Sequence, residues 1–214
     1  MNAGQEGKPV GLTTAQLREH LDAIAGDDPV VASALARVGY PQERLRAPGY
    51  RTLLRTIVGQ QVSVAAAASV WRKLEDELGP DMRASDLLSR DFETLRACGL
   101  SRQKQGYARS LCALVEDGTL QLDRLPADDK EAIDALTQIK GIGRWSAEIY
   151  LLFAEGRPDI WPAGDLAVQA ALHTMLHLDA RPSEKETRRI GERWKPYRGA
   201  MAIFTWHAYA NPAP

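Results

Sequence analysis

The chain has 214 residues, of which 44% are hydrophobic and 26% charged, a composition typical of a soluble globular protein of one or two domains. Its 27 Lys and Arg residues nearly balance its 28 Asp and Glu residues, which argues against a polybasic coat but not against a local basic face. No uncharged apolar run reaches the roughly 18 residues of a membrane span. Two cysteines, Cys98 and Cys112, exclude a disulfide framework and a four-cysteine metal cluster.

Apolar residues at helical spacing predict helices along most of the chain, after a disordered tail at residues 1–11. Thr13 or Thr14 can cap the first helix, which is expected to stop at Gly26. The second helix begins at Asp28-Pro29 and ends at Gly39. Further helices are predicted at 50–58, 62–78, 86–98, 101–116, 128–138, 144–155, 167–178, 183–194 and 197–210. No stretch alternates with period two, so the predicted fold is all-α, with roughly ten helices.

Three stretches have both a structural and a functional interpretation. The small residues at 65–68 favour a helix packed in the core. The Gly59-Gln60-Gln61 break before that helix places two glutamines either in solvent or against a bound duplex. The segment from Arg181 to Arg198 has seven basic residues against three acids. It is either a solvated helix face or an electrostatic footprint for nucleic acid.

The stretch from Leu136 to Gln169, LTQIKGIGRWSAEIYLLFAEGRPDIWPAGDLAVQ, holds the strongest functional signal. Glycine at 141 and 143 permits backbone conformations closed to other residues and leaves the amides open to an approaching group. These amides precede a predicted helix whose dipole adds partial positive charge, which favours a phosphate oxygen as ligand. Lys140 and Arg144 flank the turn and add screened attraction.

Asp165 follows Pro-Ala-Gly and precedes an apolar helical run, which is the pattern of a helix N-cap. A cap also fixes a carboxylate rigidly, and a rigid anion stabilises positive charge that develops in a reaction. Among the nearby aromatic residues, Trp145 and Trp206 are the candidates for stacking on a flipped, cationic base.

The phrases LTQIKGIGRWSAEIYLLF and WPAGDLAVQ resemble the hairpin and catalytic-aspartate signature of the helix-hairpin-helix (HhH-GPD) DNA glycosylase superfamily. IVGQQVSVAAAA, GLSRQK and ERWKPYRGAMAIFTW resemble its 3-methyladenine DNA glycosylase II branch, and the resemblance covers roughly residues 30–210. It implies an all-α fold of two helical lobes flanking a cleft. Within it, Asp165 is the catalytic residue, Trp145 and Trp206 form the base pocket, and Gln61 is the wedge that fills the gap left by the flipped base.

The same resemblance assigns two roles to the hairpin. Its DNA-binding residues are Lys140, Gly141, Gly143, Arg144 and Ser146, with backbone amides of Gly141, Gly143 and Ser146 as donors. A structural Na⁺ or K⁺ is held by the backbone carbonyls of Thr137, Ile139 and Ile142. The resemblance implies no required cofactor, and the cysteine ligands of iron–sulfur branches are absent, so no iron–sulfur cluster is expected.

Bifunctional members of the superfamily have a lysine nucleophile where this chain has Trp145, so no Schiff base and no strand cleavage are expected. The expected activity is hydrolysis of the N-glycosidic bond of alkylated bases in double-stranded DNA, by a monomer without a membrane partner. We expect it in the cytoplasm with the nucleoid, or in a nucleus. The alternatives are a glycosylase for other lesions, a non-catalytic helix-hairpin-helix DNA-binding module and a structural α-helical interaction protein.

Overall fold

The computed structural model describes residues 8, 10–79 and 81–211. These residues form twelve α-helices and one short 3-10 helix, with no β-strand among them, so the predicted all-α fold is confirmed. Their contacts divide the chain into two compact units. We call Arg46–Tyr150 the central unit, and the described residues of Val10–Leu45 and Leu151–Pro214 the terminal unit.

The central unit is built around α7, which packs against α3 and α5. Leu54 and Ile57 of α3, Leu87 of α5 and Leu111 of α7 are completely buried, because their helical spacing places them on inward faces. The helices of this unit are α3 (Tyr50–Gly59), α4 (Val64–Leu78), α5 (Ala84–Ser89), α6 (Phe92–Ala97), α7 (Arg102–Glu116), α8 (Asp129–Leu136) and the first part of α9 (Arg144–Ala154).

The terminal unit combines the first two helices of the chain with its last three. Its closest pairs are α10 with α12 and α1 with α2. Leu17 and Leu21 of α1, Leu172 of α10 and Phe204 of α12 are completely buried. Its helices are α1 (Thr14–Asp27), α2 (Pro29–Val38), α10 (Leu166–Met175), α11 (Glu184–Gly191), the 3-10 helix (Glu192–Trp194) and α12 (Arg198–Ala210).

Two departures from the predicted helix boundaries are explained by capping aspartates. Residues 86–98 form two helices rather than one, because Asp91 interrupts the first and caps the second by accepting the amide of Thr94 at 2.8 Å. Gly26 does not end α1, which continues to Asp27. Asp28 instead terminates α1 and caps α2.

The predicted burial of the alanine run was also wrong. Ala65, Ala66 and Ala68 are exposed, and α4 buries Trp71 and Leu74 of its other face. Most of the predicted disordered tail, residues 1–11, lies outside the described residues; Gly11, at its end, is buried. None of the helices in the described part of the chain is both long enough and apolar enough to cross a membrane.

Candidate functional site

The hairpin lies in the central unit, between the end of α8 and the start of α9, and its two glycines differ. Gly141 has φ of +83°, and a Cβ there would lie 2.2 Å from a ring carbon of Tyr107. Both the backbone conformation and the contact with Tyr107 therefore require glycine. Gly143 is not in the left-handed region, and a Cβ there would meet no atom within 4 Å. The prediction of a special backbone conformation is thus correct for Gly141 and wrong for Gly143, which faces open space.

Neighbouring helices fix the hairpin by hydrogen bonds. The side-chain amide of Gln60 donates to the carbonyl of Gly141 at 2.8 Å. The backbone amide of Lys140 donates to the Ser110 hydroxyl at 3.1 Å, while the Lys140 side chain is exposed. The Arg144 guanidinium lies 2.9 Å from the carboxylate of Glu148, which is buried. The hairpin is therefore fixed to the end of α3 and to α7, and part of the Arg144 charge is balanced locally.

A groove of about 1040 Å³ in the central unit brings several predicted residues together. Gln61, Gly141, Trp145 and Ser146 all line it, beside Gln60. Trp145 is 48% exposed, which leaves much of its indole surface accessible. Gln61 is exposed and has φ of +55°, an uncommon conformation for a residue other than glycine.

The same groove contains residues that the sequence did not single out. Tyr107 packs on Gly141, and the amide of Gln103 donates to the Tyr107 hydroxyl at 2.7 Å. Lys104 donates from its ammonium to the carbonyl of Val58 at 2.7 Å. Burial lowers the pKa of this ammonium. The unsatisfied carbonyls at the end of a helix attract cations. The predicted end of α3 could therefore have indicated a cationic partner such as Lys104.

Asp165 lies in the terminal unit, immediately before α10. Its Oδ1 accepts the amides of Ala167 at 2.9 Å and Val168 at 3.0 Å, so the N-cap interpretation is confirmed. The same oxygen accepts the indole N–H of Trp206 at 3.1 Å. Three donors therefore hold this carboxylate, and one of them is Trp206, which the resemblance had assigned to the base pocket.

Trp206 is half-buried on α12, and two side chains lie against its indole. The ring centroid of Phe153 is 5.6 Å away, at an interplanar angle of 43°. The guanidinium carbon of Arg44 lies 5.7 Å from the indole centroid. Arg44 belongs to the segment between α2 and α3, which carried no sequence signal.

The basic segment from Arg181 to Arg198 is largely engaged within the terminal unit. Arg193 lies 3.2 Å from Asp28, Lys195 lies 2.6 Å from Glu192, and Arg198 lies 2.7 Å from Asp159. These ion pairs favour the structural interpretation of the segment over an electrostatic footprint.

The described residues contain no group of three or more His, Cys, Asp and Glu side chains arranged to hold a metal ion. The predicted cation ligands are different in kind, since they are neutral backbone carbonyls of the hairpin. The Ile139 carbonyl accepts the Ile142 amide at 3.0 Å, and a carbonyl oxygen has a second lone pair. Carbonyl oxygens of this type suit a monovalent cation.

Comparison with known families decides the identity of the fold. Residues 54–196 match the model of the HhH-GPD superfamily of base excision DNA repair proteins. The chain belongs to this superfamily. The match includes the hairpin and Asp165, and it ends before Trp206.

Individual relatives of this HhH-GPD protein support the superfamily assignment. It is 31% identical to DNA-3-methyladenine glycosylase 1 of Schizosaccharomyces pombe, over 73% of this chain and 71% of the relative. The crystal structure of a DNA-3-methyladenine glycosidase from Bacillus halodurans superposes with a TM-score of 0.82 at 28% identity, covering 89% of this chain and 88% of that one. The S. pombe 3-methyladenine DNA glycosylase in complex with abasic DNA gives a TM-score of 0.73 at 27% identity, with 88% and 95% coverage.

Proposed function

We propose that this HhH-GPD protein is a monofunctional DNA glycosylase that removes alkylated bases from duplex DNA and leaves an abasic site. The S. pombe relative is a 3-methyladenine DNA glycosylase seen with abasic DNA, the product of such a reaction. The observation that carries the proposal is the carboxylate of Asp165, which three N–H donors fix beside the half-buried indole of Trp206.

The hairpin binds the DNA backbone. The amides of Gly141, Gly143 and Ser146 donate to a phosphate. A Cβ at Gly143 would meet no atom within 4 Å, which is consistent with an uncrowded turn. The exposed Lys140 side chain adds a salt-sensitive attraction. The Arg144 guanidinium, held by Glu148, contributes less.

Gln61 enters the base stack when the damaged nucleotide rotates out. Its neighbour Gln60 bonds to the hairpin carbonyl, so the wedge and the backbone-binding turn are connected within one unit. Trp145 and Trp206 offer indole faces to the extruded base.

The bond that breaks joins the base nitrogen to C1′ of the sugar. A purine alkylated at N3 or N7 is cationic while it is bonded to the sugar, so it departs as a neutral molecule with the bonding electron pair and needs little acid catalysis. Positive charge then develops on the sugar, and the Asp165 carboxylate stabilises it. A water molecule adds to C1′, and its released proton passes to Asp165 or to solvent.

The carbonyls of Thr137, Ile139 and Ile142 would hold a monovalent cation that supplies positive charge near the bound phosphate. The protein acts as a monomer on chromosomal DNA, in a nucleoid or a nucleus.

Replacement of the catalytic carboxylate tests the proposal directly. Asp165→Asn keeps an oxygen that can cap α10 but removes the negative charge. We expect base release from 3-methyladenine-containing duplex to fall by about 10³-fold, with little loss of DNA affinity. Single-turnover release and binding to an abasic-site duplex measure the two quantities.

Asp28 provides a matched control, because it caps α2 and accepts the indole N–H of Trp194 at 3.0 Å. Asp28→Asn should lower the melting temperature at least as much as Asp165→Asn, since Asp28 also pairs with Arg193. It should leave base release unchanged. Near-wild-type release by Asp165→Asn, or equal losses in both variants, would contradict the assignment of Asp165.

A further inference from the structure

Arg44 occupies a position that the glycosylase chemistry described above does not use. Its guanidinium carbon lies 5.7 Å from the centroid of the Trp206 indole, within the range of a cation–π contact. The indole N–H of Trp206 bonds Asp165, so the cation lies over the ring that adjoins the catalytic carboxylate. Arg44 is exposed, and it has no carboxylate partner among the described residues.

The backbone that carries Arg44 is held on both sides. The carboxylate of Glu43 accepts the amide of Thr14 at 2.9 Å and its hydroxyl at 3.0 Å, which attaches the segment to the start of α1. Gly11 packs against the Arg44 carbonyl and the Leu45 side chain so closely that a Cβ there would lie 2.9 Å from each. The guanidinium is therefore delivered to Trp206 by a fixed segment rather than by a loose loop.

We propose that Arg44 is a specificity-determining residue that disfavours cationic bases at Trp206 relative to neutral 6-oxopurines. This inference rests on the proposed glycosylase function. A cationic base that stacks on the indole must share the ring with the guanidinium or displace it. If the two share the ring, the positive charge of the base and that of Arg44 repel each other. The guanidinium also withdraws part of the attraction that the indole face offers to a cation.

A neutral 6-oxopurine meets the opposite situation. Hypoxanthine carries acceptors at O6 and N7, an edge that a guanidinium recognises with two parallel hydrogen bonds. 7-Methylguanine shares O6, but methylation removes the N7 acceptor and makes the ring cationic. Both effects of Arg44 thus favour hypoxanthine over 7-methylguanine, and these two bases form the most informative pair of substrates.

The test compares the single-turnover release of each base, opposite cytosine in the same duplex, by wild type, Arg44→Met and Arg44→Lys. The ratio of hypoxanthine to 7-methylguanine release should fall by about fivefold or more in Arg44→Met. Arg44→Lys keeps the charge and loses the planar fork, so it should give an intermediate ratio. The intrinsic lability of each lesion cancels in these comparisons.

Arg18→Met is the matched control, because Arg18 is an exposed arginine of the terminal unit that stacks on Tyr40 at 4.4 Å. It removes the same charge and should leave the ratio unchanged. Equal loss of both substrates in Arg44→Met would overturn the inference in favour of a phosphate contact, and an unchanged ratio would overturn it outright. A 3-methyladenine duplex measured alongside separates the two failures. If wild type releases 3-methyladenine but the ratio does not move, or if it releases neither test base, only this inference fails; if it does not release 3-methyladenine either, the proposed function fails with it.

Discussion

At the scale of single residues, two aspartates have nearly the same local chemistry. Asp28 and Asp165 each cap a helix and accept a tryptophan indole N–H. The surroundings separate them, since Trp194 is 1% exposed in the core whereas Trp206 is half-buried. The local sequence therefore predicts the cap at both positions, and only the wider motif around Asp165 points to chemistry.

The two hairpin glycines should respond differently to the same substitution. Gly141→Ala forces a left-handed conformation on alanine and drives its Cβ into the Tyr107 ring. We expect a loss of about 2–3 kcal/mol in the free energy of unfolding. Gly143→Ala meets no such obstacle, and its cost should stay near 1 kcal/mol or below. Urea titration measures both.

DNA binding should show the complementary pattern for Gly143. A methyl group at Gly143 adds bulk beside the amides that we propose as phosphate donors, so the affinity of Gly143→Ala for undamaged duplex should fall by about tenfold. Fluorescence anisotropy at fixed salt measures this change. Unchanged affinity together with unchanged stability would show that Gly143 does not face the DNA backbone.

At the scale of helices, sequence patterns predict those features, such as helix caps, that depend on residues close together in the chain. The capping boxes of α1 at Thr13 and of α11 at Ser183 each join a donor and an acceptor only three residues apart, so they depend on local sequence alone. The bond from Gln60 to Gly141 joins residues 81 positions apart, and no local pattern announces it. The exposed alanine face of α4 was missed for a related reason, since small residues fit a close helix contact and an open surface equally well.

The packing of α3 against α7 buries a titratable thiol, which leads to a prediction about how stability depends on pH. Burial raises the pKa of the Cys112 thiol to about 11 from an ordinary value of 9.0, and its sulfur lies 3.5 Å from the Tyr50 hydroxyl. Above pH 9 the unfolded chain releases this proton while the folded chain keeps it, so stability falls as the pH rises. Between pH 9 and 10 the loss from Cys112 should be about 1 kcal/mol.

Cys112→Ala tests this prediction by difference. The variant should lose less stability than wild type between pH 9 and 10, as measured by urea unfolding at each pH. The window stops at pH 10 because burial also raises the pKa of the Tyr50 phenol above its ordinary value of 10.0, which adds a similar loss at higher pH. Parallel pH profiles for variant and wild type would show that the Cys112 thiol ionises equally in both states.

At the scale of the whole molecule, composition and periodicity sufficed for the all-α class, and the hairpin phrase sufficed for the superfamily. Net charge was less informative, because the basic residues of the 181–198 segment form ion pairs with nearby acids. The position of Arg44 over Trp206 depends on the packing of a segment against Gly11, which only the folded structure reveals.

The reaction outcome is the last property that the whole chain determines. The sequence resemblance places Trp145 where bifunctional members of the superfamily have a lysine nucleophile, and an indole cannot form a Schiff base with an abasic sugar. Purified protein should therefore release bases from damaged duplex without breaking the strand, which should break only after alkali or heat. Denaturing gels with and without alkali, together with borohydride trapping, measure this.

Lys104 is the amine that must be tested as an alternative lyase nucleophile, because it lines the same groove as Trp145 and burial lowers its pKa. Its ammonium is held by the Val58 carbonyl at 2.7 Å, which keeps it from acting as a free nucleophile. Lys104→Met should match wild type in giving no prompt breaks and no trapped complex. Prompt breaks in wild type that disappear in Lys104→Met would identify a lyase whose nucleophile lies on α7, and the monofunctional assignment would then be wrong.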